Sequence, residues 1–257
     1  PVARGAAKPW QGPFKGGVPH IHGADGQGNT HAPPSQLKAI KQSACKFIVE
    51  QILLYPNEVI LAALGPLTNL ADALKMEPAI ANLVKEVVFM GGSAFGPGNA
   101  THASEANILS DPEAADFVFG QNWPMTMVGL DVTQKTFLSR ADVSQLTTNY
   151  SKIGNQVLGA YEFYLNFYKE VNKMDGTWVH DTSVFAYLLR PEFYKTVSHA
   201  LRVETAEGSG RGKTLPSPEG EAHVDWLNRP KVNICIEVEA EKVVELIKHR
   251  LLNARFP

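Results

Sequence analysis

The stretch Trp178 to Tyr194, WVHDTSVFAYLLRPEFY, sets an imidazole and a carboxylate side by side, His180 and Asp181, directly before an apolar run of helical character. Such a pair can divide its labour. Asp181 could hold a hard cation through its oxygens, while His180, titrating near neutral pH, could face a substrate and donate or share a proton. The plainer explanation is an Asp N-cap beside an ordinary polar residue. A second polar cluster lends weight to the chemical one. In GNATHASEANILSDPEAADFVF, Gly98 to Phe119, the residues Asn99, Glu105 and Asn107 fall where apolar content is low, and a loop is expected there. Two amides and a carboxylate donate and accept together, as the vicinal hydroxyls of a sugar require. An ordinary Asn/Gly/Ser-rich loop would look the same. Asp111-Pro112-Glu113 reads instead as N-cap, N1 proline and first-turn acid.

The elements that must position these residues alternate along the chain, as in an α/β protein. After a Gly/Pro-rich opening through Pro34, a helix is expected over Ser35 to Leu54. A buried strand then follows over Glu58 to Leu64, a helix over Thr68 to Met76 and a further helical turn before Val84. Val87 to Met90 reads as a strand, Pro112 to Phe119 as a helix and Met125 to Leu130 as a strand. Ala141 to Asp175 is mainly helical. Arg202 to Glu204 and Val232 to Glu239 read as strands, separated by a surface excursion over Ala206 to Pro230, and Ala240 to Leu252 as a terminal helix. Continuous apolar strands joined by helical crossovers predict a mostly parallel central sheet flanked by helices, an open doubly wound single domain. Leu64, Met90 and Asp131 fall near the carboxyl ends of strands, where such sheets collect their sites. Tyr161, Tyr164 and Tyr168 share one helical face, a spacing more often used for core packing than for ligands.

Composition excludes several classes. A formal charge of -2 and a pI near 6.5, with no basic run, argue against nucleic-acid partners. No apolar run is long enough for a membrane span. Cys45 and Cys235 lack metal-ligand spacing and are expected as buried free thiols, which suits a reducing, cytoplasmic compartment. The sequence opens on Pro1, so a targeting segment would lie ahead of it.

The segments LGPLTN (Leu64 to Asn69), FMGG (Phe89 to Gly92), EANILSDPEAA (Glu105 to Ala115), MVGLDVT (Met127 to Thr133) and VHD (Val179 to Asp181) resemble the nucleoside N-ribohydrolases, the inosine-uridine preferring group most closely. Order and spacing agree from about Pro19 to the C-terminus. The resemblance implies hydrolysis of the N-glycosidic bond of ribonucleosides to ribose and free base by a calcium-bound water, in a homodimer or homotetramer. It implies Ca2+ held in part by Asp181 and the backbone carbonyl of Leu64, and ribose hydroxyls held by Asn99, Glu105 and Asn107 with Met90 lining the sugar pocket. His180 would stand by the base as acid or polar contact. His22, in HIHGADG, would also lie near the base, as would Tyr164 and Tyr168 from an overhanging helix; His20 is incidental. The family opens with a strand ending in DxDxGxDD, whose aspartates bind calcium and activate water, and this sequence has no such motif. A chain truly starting at Pro1 is therefore expected to turn over poorly. The alternatives are a non-catalytic nucleoside or ribose binder, or a ribosyl hydrolase acting on a modified nucleoside.

Overall fold

A computed structural model describes residues 1–148, 153–218 and 224–253. The helices are α1 (Pro19–His22), α2 (Ala44–Leu54), α3 (Thr68–Met76), α4 (Ala106–Ser110), α5 (Pro112–Phe119), α6 (Leu130–Thr133), α7 (Arg140–Thr148), α8 (Ile153–Asn172), α9 (Asp181–Leu189) and α10 (Ala240–Leu252). The strands are β1 (Ile60–Ala63), β2 (Glu86–Met90), β3 (Met125–Val128), β4 (Phe137–Ser139), β5 (Gly176–Trp178), β6 (Tyr194–Val203), β7 (Thr214–Pro216) and β8 (Lys231–Val238). Six of them form one sheet in the order β1-β2-β3-β8-β6-β7, and β4 pairs with β5 apart from it. β1, β2, β3 and β8 run parallel; at one side β6 pairs antiparallel with β8, and β7 antiparallel with β6. The expected α/β class and mostly parallel sheet are therefore present.

The pleat of β2 explains how both faces are covered. Successive side chains point to opposite faces, so Val87 and Phe89 enter a core with Ile52, Leu70, Leu74 and Phe119 from α2, α3 and α5. Val88 and Met90 enter a second core with Leu165, Val184 and Val243 from α8, α9 and α10. Each such side chain stabilises by roughly 1.5–3 kcal/mol when fully buried. β1 corrects the expected burial of every parallel strand: it is outermost in the described sheet, and its residues alternate between exposed and half-buried.

Four other expectations change, the first being that the strand read over Arg202 to Glu204 is β6, running from Tyr194 to Val203. Helix α2 starts at Ala44 rather than Ser35, because the preceding stretch is drawn to the amino-terminal segment: Ile40 N donates to Val2 O at 2.8 Å and Ala44 N to Arg4 O at 2.8 Å. Those tertiary bonds outweigh local helix propensity. The surface excursion contains β7, paired to β6. Cys235 is buried and free as expected, but Cys45 is only half-buried.

Asp111 does cap α5, its Oδ1 accepting from Ala114 N at 3.2 Å. Its Oδ2 also accepts from Thr68 Oγ1 at 2.7 Å and Trp10 N at 3.0 Å. Among the described residues, no helix is long and apolar enough to cross a membrane.

Candidate active site

The site is built where β1, β2 and β5 end. β2 runs into Gly91-Gly92, and Gly92 has φ 78°, a left-handed turn in which a Cβ would lie 2.6 Å from Thr214 Oγ1. The turn presents the Gly92 amide to Glu105. That carboxylate is almost wholly buried and takes three backbone N–H groups: Oε2 accepts from Gly92 at 2.8 Å and Ile108 at 3.1 Å, and Oε1 from Asn107 at 2.8 Å. Glu105 is thus the N-cap of α4, and Asn107 sits in its first turn. The expected loop is a helix start, because a carboxylate can satisfy the orphan amides there. Burial raises the Glu105 pKa, and the three backbone bonds oppose that rise.

Asn107 ties the strand ends together, with Nδ2 donating to Met90 O at 3.0 Å and lying 3.4 Å from Leu64 O. Met90 is buried beneath it. Asn99 is exposed, and its Oδ1 accepts from Ala106 N at 3.0 Å. Leu64, Met90, Asn99, Glu105 and Asn107 therefore form one wall.

The facing wall carries His180, which leaves β5 and occupies the N-cap position of α9 without a side-chain capping bond. Asp181 is the first helical residue, so the plain N-cap explanation of this carboxylate does not hold. The described residues give it no hydrogen bond. Asp181 is open to solvent, yet the surrounding protein raises its pKa, an effect partly offset by His22. Its charge also raises the pKa of Glu105, Tyr161 and Tyr164. One carboxylate thus lies within electrostatic reach of both walls, which brings together the two clusters separated in sequence.

His180 is held from both sides. Its Nδ1 lies 2.8 Å from Thr133 Oγ1 and its Nε2 3.2 Å from Tyr168 Oη, which in turn is 3.1 Å from Tyr164 Oη. Burial pushes the His180 pKa down to about 4, so the ring is neutral near pH 7. Titration near neutrality, expected from the residue type, is corrected by desolvation. The Tyr164 ring stacks on His22, with centroids 5.5 Å apart and planes at 16°. Tyr168 is buried while Tyr164 is only partly so, and the stripe reaches from the core to the ring of His22. His20 is exposed, and its ring meets the edge of Phe167.

Thr133 and Trp178, whose ring lies edge-on to Tyr168 and His180, had no assigned role in the sequence. Thr133 ends the MVGLDVT motif, and a hydroxyl closing a turn beyond a buried strand was the available signal. A cleft of about 800 Å³ lined by Phe95, Asp131, Lys135, His199 and Pro216 contains none of these residues.

Calcium suits the donors in kind, since Asp181 and the Leu64 carbonyl are hard oxygens. They fall short in number of the six to eight it takes, and the described residues contain no group of three His, Cys, Asp or Glu able to hold a metal.

The chain is similar to known nucleoside hydrolases in sequence and fold. The family model described as inosine-uridine preferring nucleoside hydrolase matches residues 1–245. A probable uridine nucleosidase 2 of Oryza sativa subsp. japonica is 35% identical over 263 residues, covering 99% of this chain and 77% of that protein. A solved plant nucleoside hydrolase, the PpNRh1 enzyme, superposes with a TM-score of 0.93 at 32% identity, covering 99% of this chain and 81% of that one. A purine-preferring ribonucleoside hydrolase from Gardnerella vaginalis gives 0.89 at 30%, covering 98% and 79%. With the family pattern running through nearly the whole chain and its fold, this protein belongs to the inosine-uridine preferring nucleoside hydrolases.

Proposed function

We propose that this chain hydrolyses the N-glycosidic bond of ribonucleosides, with ribose against the Glu105/Asn107 wall and the base between His180, Tyr164, Tyr168 and His22. The observation supporting this reading is the pair of hydrogen-bonded arrays, Glu105 fixed by three backbone amides beside Asn107 on one wall and His180 joined to Tyr168 and Tyr164 on the other. Such cleavage passes through an oxocarbenium-like state, so the ribose must be held rigidly and the departing base given hydrogen-bond partners. A carboxylate offers about four acceptor positions. Three on Glu105 are filled by backbone amides, which orients the group and leaves one for a sugar hydroxyl. His180 acts on the base side through the Tyr168 and Tyr164 hydroxyls, the last of which is the donor.

Calcium is the proposed cofactor, with Asp181 and the Leu64 carbonyl as two of its ligands; when bound it would supply an activated water. A cytoplasmic dimer or tetramer is the accompanying expectation from the resemblance. The test is ribose release from a panel containing inosine, uridine, adenosine and cytidine, with and without a calcium chelator. Turnover abolished by the chelator and restored by calcium supports the reading. Binding without turnover would favour the second reading, a nucleoside binder, which the small described set of acidic ligands motivates.

Tyr168→Phe should keep the ring in its packing and delete the central hydroxyl of the chain. Relative kcat/KM between uridine and inosine is expected to shift by about tenfold, one hydrogen bond's worth, with the melting midpoint little changed. An equal loss on both substrates would argue that Tyr168 serves structure alone.

A further inference from the structure

Thr133 is fully buried at the end of α6, and the short turn fixes it: its N donates to Gly129 O at 3.1 Å and its O accepts from Thr136 N at 3.3 Å. Its hydroxyl has one hydrogen-bond partner among the described residues, His180 Nδ1 at 2.8 Å. A buried hydroxyl needs an acceptor for its proton. If Nδ1 carried hydrogen, two donors would meet and the threonine proton would have no described acceptor. The arrangement that satisfies every group has Thr133 donating to Nδ1. The proton of the neutral ring then sits on Nε2, 3.2 Å from Tyr168 Oη. Tyr168 accepts it and can pass its own hydrogen to Tyr164 at 3.1 Å.

We infer that Thr133 is a positioning residue that locks His180 as its Nε2–H tautomer, which turns the Tyr168 hydroxyl toward Tyr164 and leaves the Tyr164 hydroxyl as the proton donor on the base side of the site. For its catalytic consequence the inference rests on the hydrolase reading; for the tautomer it does not. A donor at this point matches a base edge that accepts, such as a carbonyl oxygen or an unprotonated ring nitrogen. An exocyclic amino group there would find no acceptor.

The test compares wild type with Thr133→Val, which keeps the shape and removes the hydroxyl, and Thr133→Ser, which keeps the hydroxyl. Nitrogen-15 histidine NMR of the 257-residue chain should show His180 protonated on Nε2 in wild type and Thr133→Ser. In Thr133→Val it should show a shift toward Nδ1–H or a mixture. With melting midpoints matched, Thr133→Val should lower kcat by on the order of 10–100-fold, as loss of an orienting partner does, with KM little altered and Thr133→Ser largely rescued. A wild-type ring protonated on Nδ1, an unchanged tautomer in Thr133→Val, or a Thr133→Ser variant as impaired as Thr133→Val would each overturn the inference. If wild type shows the expected tautomer but no turnover on any nucleoside, the hydrolase reading fails while the tautomer assignment stands.

Discussion

Glu105→Ala is expected to unfold the substrate wall rather than merely weaken ligand binding. The substitution strands the buried amides of Gly92, Asn107 and Ile108. Each unsatisfied donor costs about 1–3 kcal/mol, so the total is a large share of the roughly 5–15 kcal/mol that holds a domain together. The melting midpoint should fall by roughly 10 °C or more. Added calcium should not restore it. Asp181→Ala should behave in the opposite way: the carboxylate has no hydrogen bond to lose, so stability is kept, while calcium-dependent turnover falls and partly returns at high calcium. Calorimetry of both variants decides the matter. A Glu105→Ala protein melting within a degree or two of wild type would mean the carboxylate does not anchor the turn.

His180→Ala should give the largest kinetic loss among substitutions that leave the fold intact. Because burial keeps the ring neutral near pH 7, its proposed contribution is to orient, through Tyr168, the Tyr164 hydroxyl that donates to the departing base. Removing one donor from developing charge costs about 10²–10³ in kcat. A riboside with an intrinsically good leaving group needs little of that help, so its loss should be far smaller. Parallel assays on inosine, uridine and an activated riboside make the comparison. Equal losses on all three would place His180 against the sugar or the core instead.

The sequence made the fold legible where one signal dominated. The α5 bounds follow from the Asp111 cap and Pro112, those of α3 from apolar spacing, and β2 and β3 from continuous apolar runs. It misled where remote partners compete with local preference, as before α2, where main-chain bonds to Val2 and Arg4 replace helix. The site residues were legible as types, but their states were not. Nothing in SEAN shows that the glutamate is consumed by three amides, and nothing in VHD shows a ring desolvated enough to stay neutral. Thr133 was marked in the sequence by its place at the end of MVGLDVT, but its partner was not, since that contact lies 47 residues away.

The triple acceptor at Asp111 has a consequence for motion. One carboxylate holds hydrogens from residues 10, 68 and 114, so opening any one of these segments strands a buried group shared with the other two. The amino-terminal stretch, further pinned by the Trp10 indole on Asp72 and the Lys75 ammonium 3.3 Å over its ring, cannot fray independently. In hydrogen-exchange terms, the amides of Trp10 and Ala114 are expected to open together as one cooperative unit. Helix α4 ends at that same carboxylate. The turn carrying Glu105 and Asn107 therefore inherits the slow breathing of the interior, although it lies in a part of the chain whose composition reads as a surface loop.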